Sequence, residues 1–237
     1  MTAFDPPVAA DRLSMIPTRL NGEKGRPSAV RVGLTVCDDG WQVIMTERAH
    51  HLAHHAGQIS FPGGKVESMD RTLVDTALRE AQEEIALPSD AVQVLGGLDA
   101  VVSPVGFVVQ PVVGLVAADT RLVADPGEVA QVLVLPLDAL VDRTRHRRDP
   151  YLRNGQPRDV WVIENAHHYI WGLSAASLVD LAARIAREAQ AIHDRVCPAS
   201  VLAPGHSPGI RTAGYGPGIG APNEIGYPVR TTRDTLW

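Results

Sequence analysis

The chain has 237 residues, a formal net charge of -5 and a pI near 6.0, a mildly acidic balance that excludes a global field for nucleic acid or an anionic membrane. At 45% hydrophobic and 21% charged residues it can bury a sizeable core, and no apolar run approaches the ~20 residues of a spanning helix. Two distant cysteines, Cys37 and Cys197, read as free thiols in a reducing compartment. The start of the chain lacks the basic end and apolar centre of a secretory leader, so the expected location is cytoplasmic.

Residues 1–27, with Pro6, Pro7, Pro17 and Pro27, read as a short helix or irregular arm. Ala29 to Cys37 is strand-like, Asp38-Asp39-Gly40 is a turn signal, and Trp41 to Thr46 returns as a second strand ending at Arg48. Next come His50, His51, His54 and His55, two i, i+4 pairs that on a helix would have metal-ligand spacing. No other ligand type adjoins them. An exposed polar loop is the plainer reading, with contact to a substrate phosphate as the functional one.

From Gly57 the chain reads Gly-Gln-Ile-Ser-Phe-Pro-Gly-Gly-Lys-Val-Glu, then Asp70, then Arg79-Glu80-Ala81-Gln82-Glu83-Glu84-Ile85-Ala86-Leu87. The spacing puts Glu80, Glu83 and Glu84 in one sector of a helix, where like charges repel unless water or a cation neutralises them. Leu73, Ala77, Ala81 and Ile85 give the opposite face a core to lie on. Oxygen-only ligands suit Mg2+ or Mn2+ rather than zinc.

This segment resembles the Nudix box, Gly-x5-Glu-x7-Arg-Glu-U-x-Glu-Glu-x-Gly-U with U aliphatic. Arg79, Glu80, Ala81, Glu83, Glu84 and Leu87 match. Ala86 stands at the second glycine, and eight residues separate Asp70 from Arg79 where the signature has seven. That leaves Asp70 and Glu67 as alternative supports for Arg79. Upstream, Ile44-Met45-Thr46-x-Arg48, then Gly57 and Phe61-Pro62-Gly63-Gly64, resembles the second signature of the coenzyme A pyrophosphatase branch. Ala49 replaces its serine, and Ala53 stands about where arginine is common.

After the box, Ala91 to Leu98 and Phe107 to Val116 read as strands. Gln110-Pro111 implies a bend or a sheet edge in the second. Asp125 to Val129 is a loop before the strand Ala130 to Leu135, and Pro136 to Val141 a short helix. Residues 143–157 read as a polar, basic loop, followed by strands at Asp159 to Glu164 and His168 to Trp171. Ser174 is the candidate N-cap of a last helix buried through Leu178, Leu181, Ala182 and Ile185. From Pro198 onward, six prolines and seven glycines in forty residues imply a largely irregular tail.

The resemblance covers about residues 28–190. It implies an α+β Nudix fold, a mixed sheet sandwiched between helices, over 28–194, with an arm at 1–27 and a tail at 195–237. It implies a metal site of Glu80, Glu84, Glu83 and the Gly63 carbonyl for Mg2+ or Mn2+. Glu128 or Glu80 is the implied base, and Arg79 orients Glu80. Arg48, Gly57, Phe61 and Gly64 are the implied substrate contacts. The implied reaction is hydrolysis of coenzyme A, or a derivative, to 3',5'-ADP and 4'-phosphopantetheine. The expected partner is a small molecule, with no nucleic acid and no membrane, and a homodimer is the candidate assembly. The other readings are a Nudix hydrolase of nucleoside triphosphates, NADH or nucleotide sugars, a silent nucleotide-binding sensor, and a scaffold acting through its tail.

Overall fold

The computed structural model describes residues 25–153, 156–165 and 168–196. β1 (Arg26–Cys37) and β2 (Gly40–Arg48) form the predicted antiparallel hairpin, with the turn closed by Gly40. β3 (Ile59–Ser60) and β8 (Val129–Pro136) pair with β2, and β4 (Gly63–Lys65) pairs with β1. β7 (Phe107–Val116) lies parallel to β1 and antiparallel to β5 (Val92–Gly97) and β6 (Val101–Val102). The result is one eight-stranded mixed sheet.

Strand alternation sorts the core into two layers. Val32, Leu34, Val43, Met45 and Val113 turn to one face and join Ala175, Leu178 and Leu181 of helix α3 (Gly172–Val196). Ala29, Ile44, Val112 and Val116 turn to the other and meet Leu73, Ala77, Ala81 and Ile85 of helix α1 (Leu73–Ile85). Each such aliphatic side chain, fully buried, contributes about 1.5–3 kcal/mol. The sheet therefore lies between helices, as the resemblance implies. The short helix α2 (Leu137–Val141) adds Leu137 and Leu140 to the α3 layer.

Three local expectations change. The basic stretch expected as a loop forms β9 (His146–Arg153), the edge of a three-stranded sheet with β10 (Gln156–Asn165) and β11 (His168–Trp171). Arg147 pairs with Asp149 at 2.9 Å and Glu164 at 2.5 Å, and Arg148 lies over the Trp161 ring at 4.7 Å. An edge strand of this kind carries no hydrophobic alternation, which is why it reads as a loop. α3 starts at Gly172, so Ser174 lies in its first turn rather than capping it. The histidine stretch forms turns, in line with the polar-loop reading, so the i, i+4 helical spacing does not arise. The predicted tail beyond Val196 and most of the arm lie outside the described residues.

The third change concerns Pro111, which sits inside the sheet on β7, between β1 and β5, rather than at an edge. The Leu98 N–H donates to the Pro111 carbonyl at 3.0 Å, and in an antiparallel pair the Pro111 N–H would answer it. Proline has none. The buried Gln110 side chain fills the gap, its Nε2 donating to the Leu98 carbonyl at 2.7 Å and to the Pro111 carbonyl at 3.1 Å.

Arg31 is an unusual core residue. It is 1% exposed between the two clusters under α1. Its one hydrogen bond, to the Val112 carbonyl, is long at 3.5 Å. Among the described residues its Nε and Nη2 have no partner, and burial pushes its pKa down to about 10. A Cβ on Gly114 would lie 2.4 Å from Nη2, so glycine makes room for the guanidinium. Replacing buried ionic groups by apolar side chains of similar volume is neutral to stabilising, by up to about 1–4 kcal/mol. Arg31→Met is expected to raise the free energy of urea unfolding by an amount in that range. A loss of stability instead would mean that the charge is compensated.

Candidate active site

The box begins with a locked loop. Thr72 caps α1: its hydroxyl accepts from the Asp75 N–H at 3.1 Å, and the Asp75 carboxylate accepts from the Thr72 N–H at 3.0 Å. Asp70, just upstream, accepts from the Glu67 N–H at 2.9 Å, from the Thr76 hydroxyl at 3.0 Å, and from Arg79 Nε and Nη2, both at 3.0 Å. The Arg79 hydrogen bonds, foremost among these, hold the Asp70 carboxyl down at about 2. Asp70, not the Glu67 side chain, therefore supports Arg79. Glu67 contributes only its backbone. The Arg79 guanidinium also donates to the Lys65 carbonyl at 2.9 Å and reaches Glu80 at 3.1 Å and Glu83 at 2.9 Å.

This network sorts the three box glutamates. Glu83 is exposed beside Arg79. Glu80 leans on the Gly-Gly turn, where a Cβ on Gly64 would lie 2.4 Å from its Oε1, so a larger residue there would push the carboxylate aside. Glu84 is buried and accepts the Gly63 N–H. Burial first, then the charges of Glu128 and Glu80, push Glu84 up to about 8. Burial and the neighbouring Glu83 and Glu128 raise Glu80 as well, although Arg79 opposes them.

Glu128 reaches this cluster because its loop is tied at both ends. The Asp125 N–H donates to the Glu84 carbonyl at 2.9 Å, and the Val123 N–H to the Ile85 carbonyl at 3.0 Å. On the far side the Ala49 N–H donates to the Glu128 carbonyl at 2.9 Å. Arg48, next to Ala49, has its charge near Glu84 and a buried Nε with no partner among the described residues.

Beside the turn lies a cavity of about 320 Å3, bounded by Arg48, Phe61, Gly63, Gly64 and Lys65. Its far wall is Ser103, Val105 and Phe107 with Leu173, Ser174 and Ser177 of α3. Of the predicted substrate contacts, Arg48, Phe61 and Gly64 line it. Gly57 does not, and its N–H instead closes a turn on the Arg48 carbonyl at 3.0 Å. His55, half-buried and bonded through Nδ1 to Gln58 Oε1 at 2.5 Å, also lines the cavity. Motif spacing carries no signal for the α3 serines, which the fold brings in from more than a hundred residues away.

A model of the NUDIX domain matches residues 27–155, more than half of the chain. The chain belongs to the Nudix family. It is 40% identical over 174 residues to a protein of Pectobacterium atrosepticum named uncharacterized Nudix hydrolase NudL, spanning 73% of this chain and 90% of that one. A Salmonella paratyphi B protein of the same name is 42% identical over 143 residues, 60% of this chain and 74% of its own. Among solved structures, the Nudix hydrolase RenU of M. smegmatis aligns with a TM-score of 0.43 at 22% identity, covering 49% of this chain and 74% of that one. A MutT protein of Methanosarcina mazei Go1 aligns at 0.45 and 15% identity, covering 71% and 98%. The family and these relatives make the chain a hydrolase of diphosphate bonds. Among the described residues no helix is long and apolar enough to cross a membrane.

Nudix hydrolases generally use divalent ions, and the donors here fit one. A buried carboxyl raised by two neighbouring carboxylates is the charge arrangement that a divalent cation relieves. Among the described residues no three His, Cys, Asp or Glu side chains already form a closed cage, in keeping with Glu80 being turned onto Arg79.

Two outcomes follow. Glu84 has a folded pKa of about 8 against an ordinary value of 4.5. The raised value stabilises the metal-free fold below pH 4.5, and that contribution is lost as pH rises toward 8. Glu84→Gln is therefore expected to raise the melting temperature of metal-free protein increasingly across that window and by a constant amount above it. A pH-independent difference would contradict the assignment. Separately, Ala86 ends α1 at φ +53°, the left-handed region, where the signature has glycine. An L-residue there costs about 1–2 kcal/mol, partly offset by glycine's greater unfolded-state freedom. Ala86→Gly is expected to stabilise by about 0.5–1 kcal/mol in denaturant titration.

Proposed function

We propose that the chain is a metal-dependent Nudix pyrophosphohydrolase that cleaves the diphosphate of coenzyme A or a derivative, releasing 3',5'-ADP and 4'-phosphopantetheine or its acyl form. The observation that carries it is the tandem signature folded into one place. Arg48, Phe61, Gly63 and Gly64 of the branch signature line one cavity, and the same Gly63–Gly64 turn contacts Glu84 and Glu80 of the box.

Glu84 and Glu80 would hold Mg2+ or Mn2+, with Glu83 completing the site directly or through water and the Gly63 carbonyl as an added ligand. When bound, the ion neutralises phosphate charge and makes the attacking water acidic. Arg79 orients Glu80 and does not touch substrate. Arg48, which lines the cavity and whose buried Nε has no partner among the described residues, would meet the diphosphate. Glu128 is the favoured proton acceptor, because Glu80 is held by Arg79 whereas Glu128 is exposed, with no side-chain ion pair among the described residues. Phe61 and Gly64 shape the wall. Gly57 supports it by holding the Arg48 backbone. The same reading has residues 28–194 as the catalytic unit in the cytoplasm, flanked by the arm and the tail, with a homodimer as the candidate assembly.

The test is product analysis with CoA, NADH, ADP-ribose and dGTP under Mg2+ or Mn2+. CoA is expected to yield 3',5'-ADP, and Glu84→Gln to lower kcat by a factor of at least about 100. Turnover of another substrate in place of CoA would leave the hydrolase and remove the coenzyme A assignment. Binding without any turnover would favour a sensor.

A further inference from the structure

Next to the Gly-Gly turn the sheet gathers two cations on one aromatic ring. In the β1–β4 register Ser28 opposes Lys65, and in the β1–β7 register Arg26 opposes Phe107. Residues opposite each other across a ladder share a face, as do residues two apart on one strand. Arg26, Ser28, Lys65 and Phe107 therefore all project from the face that bears the cavity, and Arg26 and Lys65 are diagonal neighbours. Such neighbours lie roughly 7–8 Å apart at their backbones.

The side chains agree with the register. The Arg26 guanidinium carbon lies 4.1 Å from the Phe107 ring centroid, and Lys65 Nζ lies 5.8 Å from it. The turn from Ser103 to Phe107 fixes Arg26 further. Its N–H donates to the Gly106 carbonyl at 2.7 Å, and its Nη2 to the Val105 carbonyl at 3.2 Å. Ser103 in turn takes the Phe107 N–H on its hydroxyl at 3.0 Å. Among the described residues neither Arg26 nor Lys65 forms an ion pair with a carboxylate, although the chain is acidic overall. Two like charges held near one ring with no counter-ion lower each other's stability unless an anion joins them. Both remain exposed, so an anion has access.

We propose that Arg26 and Lys65, carried on Phe107, form a second phosphate subsite that reads a phosphomonoester on the ribose of the substrate. This deepens the coenzyme A reading and rests on it for the identity of the nucleotide. Lys65 follows Gly64 directly, so the subsite begins one strand residue beyond the turn that faces the scissile diphosphate and continues roughly 7 Å along β1 to Arg26. A ribose carrying its diphosphate at one oxygen and a phosphomonoester at another would bridge the two positions. The nucleotide half of the substrate then lies toward β7, and the Phe107 ring is occupied by cations rather than by a base. Selectivity for a ribose phosphate comes from charge at this rim, independently of the carboxylates that act on the diphosphate.

The experiment measures binding before turnover. Full-length protein is titrated calorimetrically with 3',5'-ADP and with 5'-AMP, for the parent chain and for the Arg26→Gln/Lys65→Gln double variant. The parent is expected to bind 3',5'-ADP at least tenfold more tightly than AMP, and the double variant to bind both alike with AMP affinity unchanged. Equal affinities in the parent, or equal losses for both ligands in the variant, would overturn the subsite. Matching melting temperatures for the two proteins exclude misfolding as the cause. Turnover then separates the two ideas. Preference for CoA over dephospho-CoA, lost in the variant through KM, supports both. Preference for NADPH over NADH, with CoA untouched, supports the subsite with a 2'-phosphate and removes the coenzyme A reading. CoA and dephospho-CoA turned over equally by the parent would keep that reading and remove the subsite.

Discussion

The Asp70–Arg79 pair decides where the carboxylates of α1 point. Both side chains are largely shielded from solvent, at 13% exposed for Arg79 and 3% for Asp70, so removing one partner leaves the other charge unpaired and poorly solvated. Arg79 uses its remaining donors on the Lys65 carbonyl, Glu80 and Glu83. One guanidinium thus fastens the end of the glycine turn to the helix and offsets part of the charge gathered there. Without it, Glu80 would face Glu84 and Glu128 with no nearby cation but Arg48.

The site draws on four parts of the chain distant in sequence, and backbone hydrogen bonds bring them together. The loop before β8 binds the last turn of α1 on one side and the residue after Arg48 on the other. That double attachment carries Glu128 to the helix without any side-chain contact of its own. The ends of β1, β4 and β7 meet beside the same turn, so the cavity and the carboxylates adjoin through Gly63 and Gly64. Function here depends less on any strand's own sequence than on where strands end.

The sequence showed the hairpin, the box helix, the carboxylate sector and most later strands, because each carries a local signal: alternation, a turn, or fixed spacing. Support of Arg79 by Asp70 was one of two readings, since an extra loop residue changes the count without revealing which carboxylate folds inward. β9 was missed because a polar edge strand has no buried face to mark it. The start of α3 was misplaced because a serine two residues inside looks like a cap. Arg31 gave no sign of burial, because arginine on a strand ordinarily reads as an exposed position. The α3 wall of the cavity is a tertiary contact that spacing cannot express.

Gln110 and Pro111 have a consequence for how this sheet can change over time. The glutamine amide stands in for a backbone donor that its neighbour lacks, so the two residues make one functional peptide unit. Losing the glutamine alone leaves a buried carbonyl without a donor. Losing the proline alone restores a backbone donor, and the Leu98 carbonyl, with two lone pairs, can accept from both. The coupling therefore runs one way: the glutamine amide is needed for as long as the proline stands beside it, whereas the proline can be replaced first.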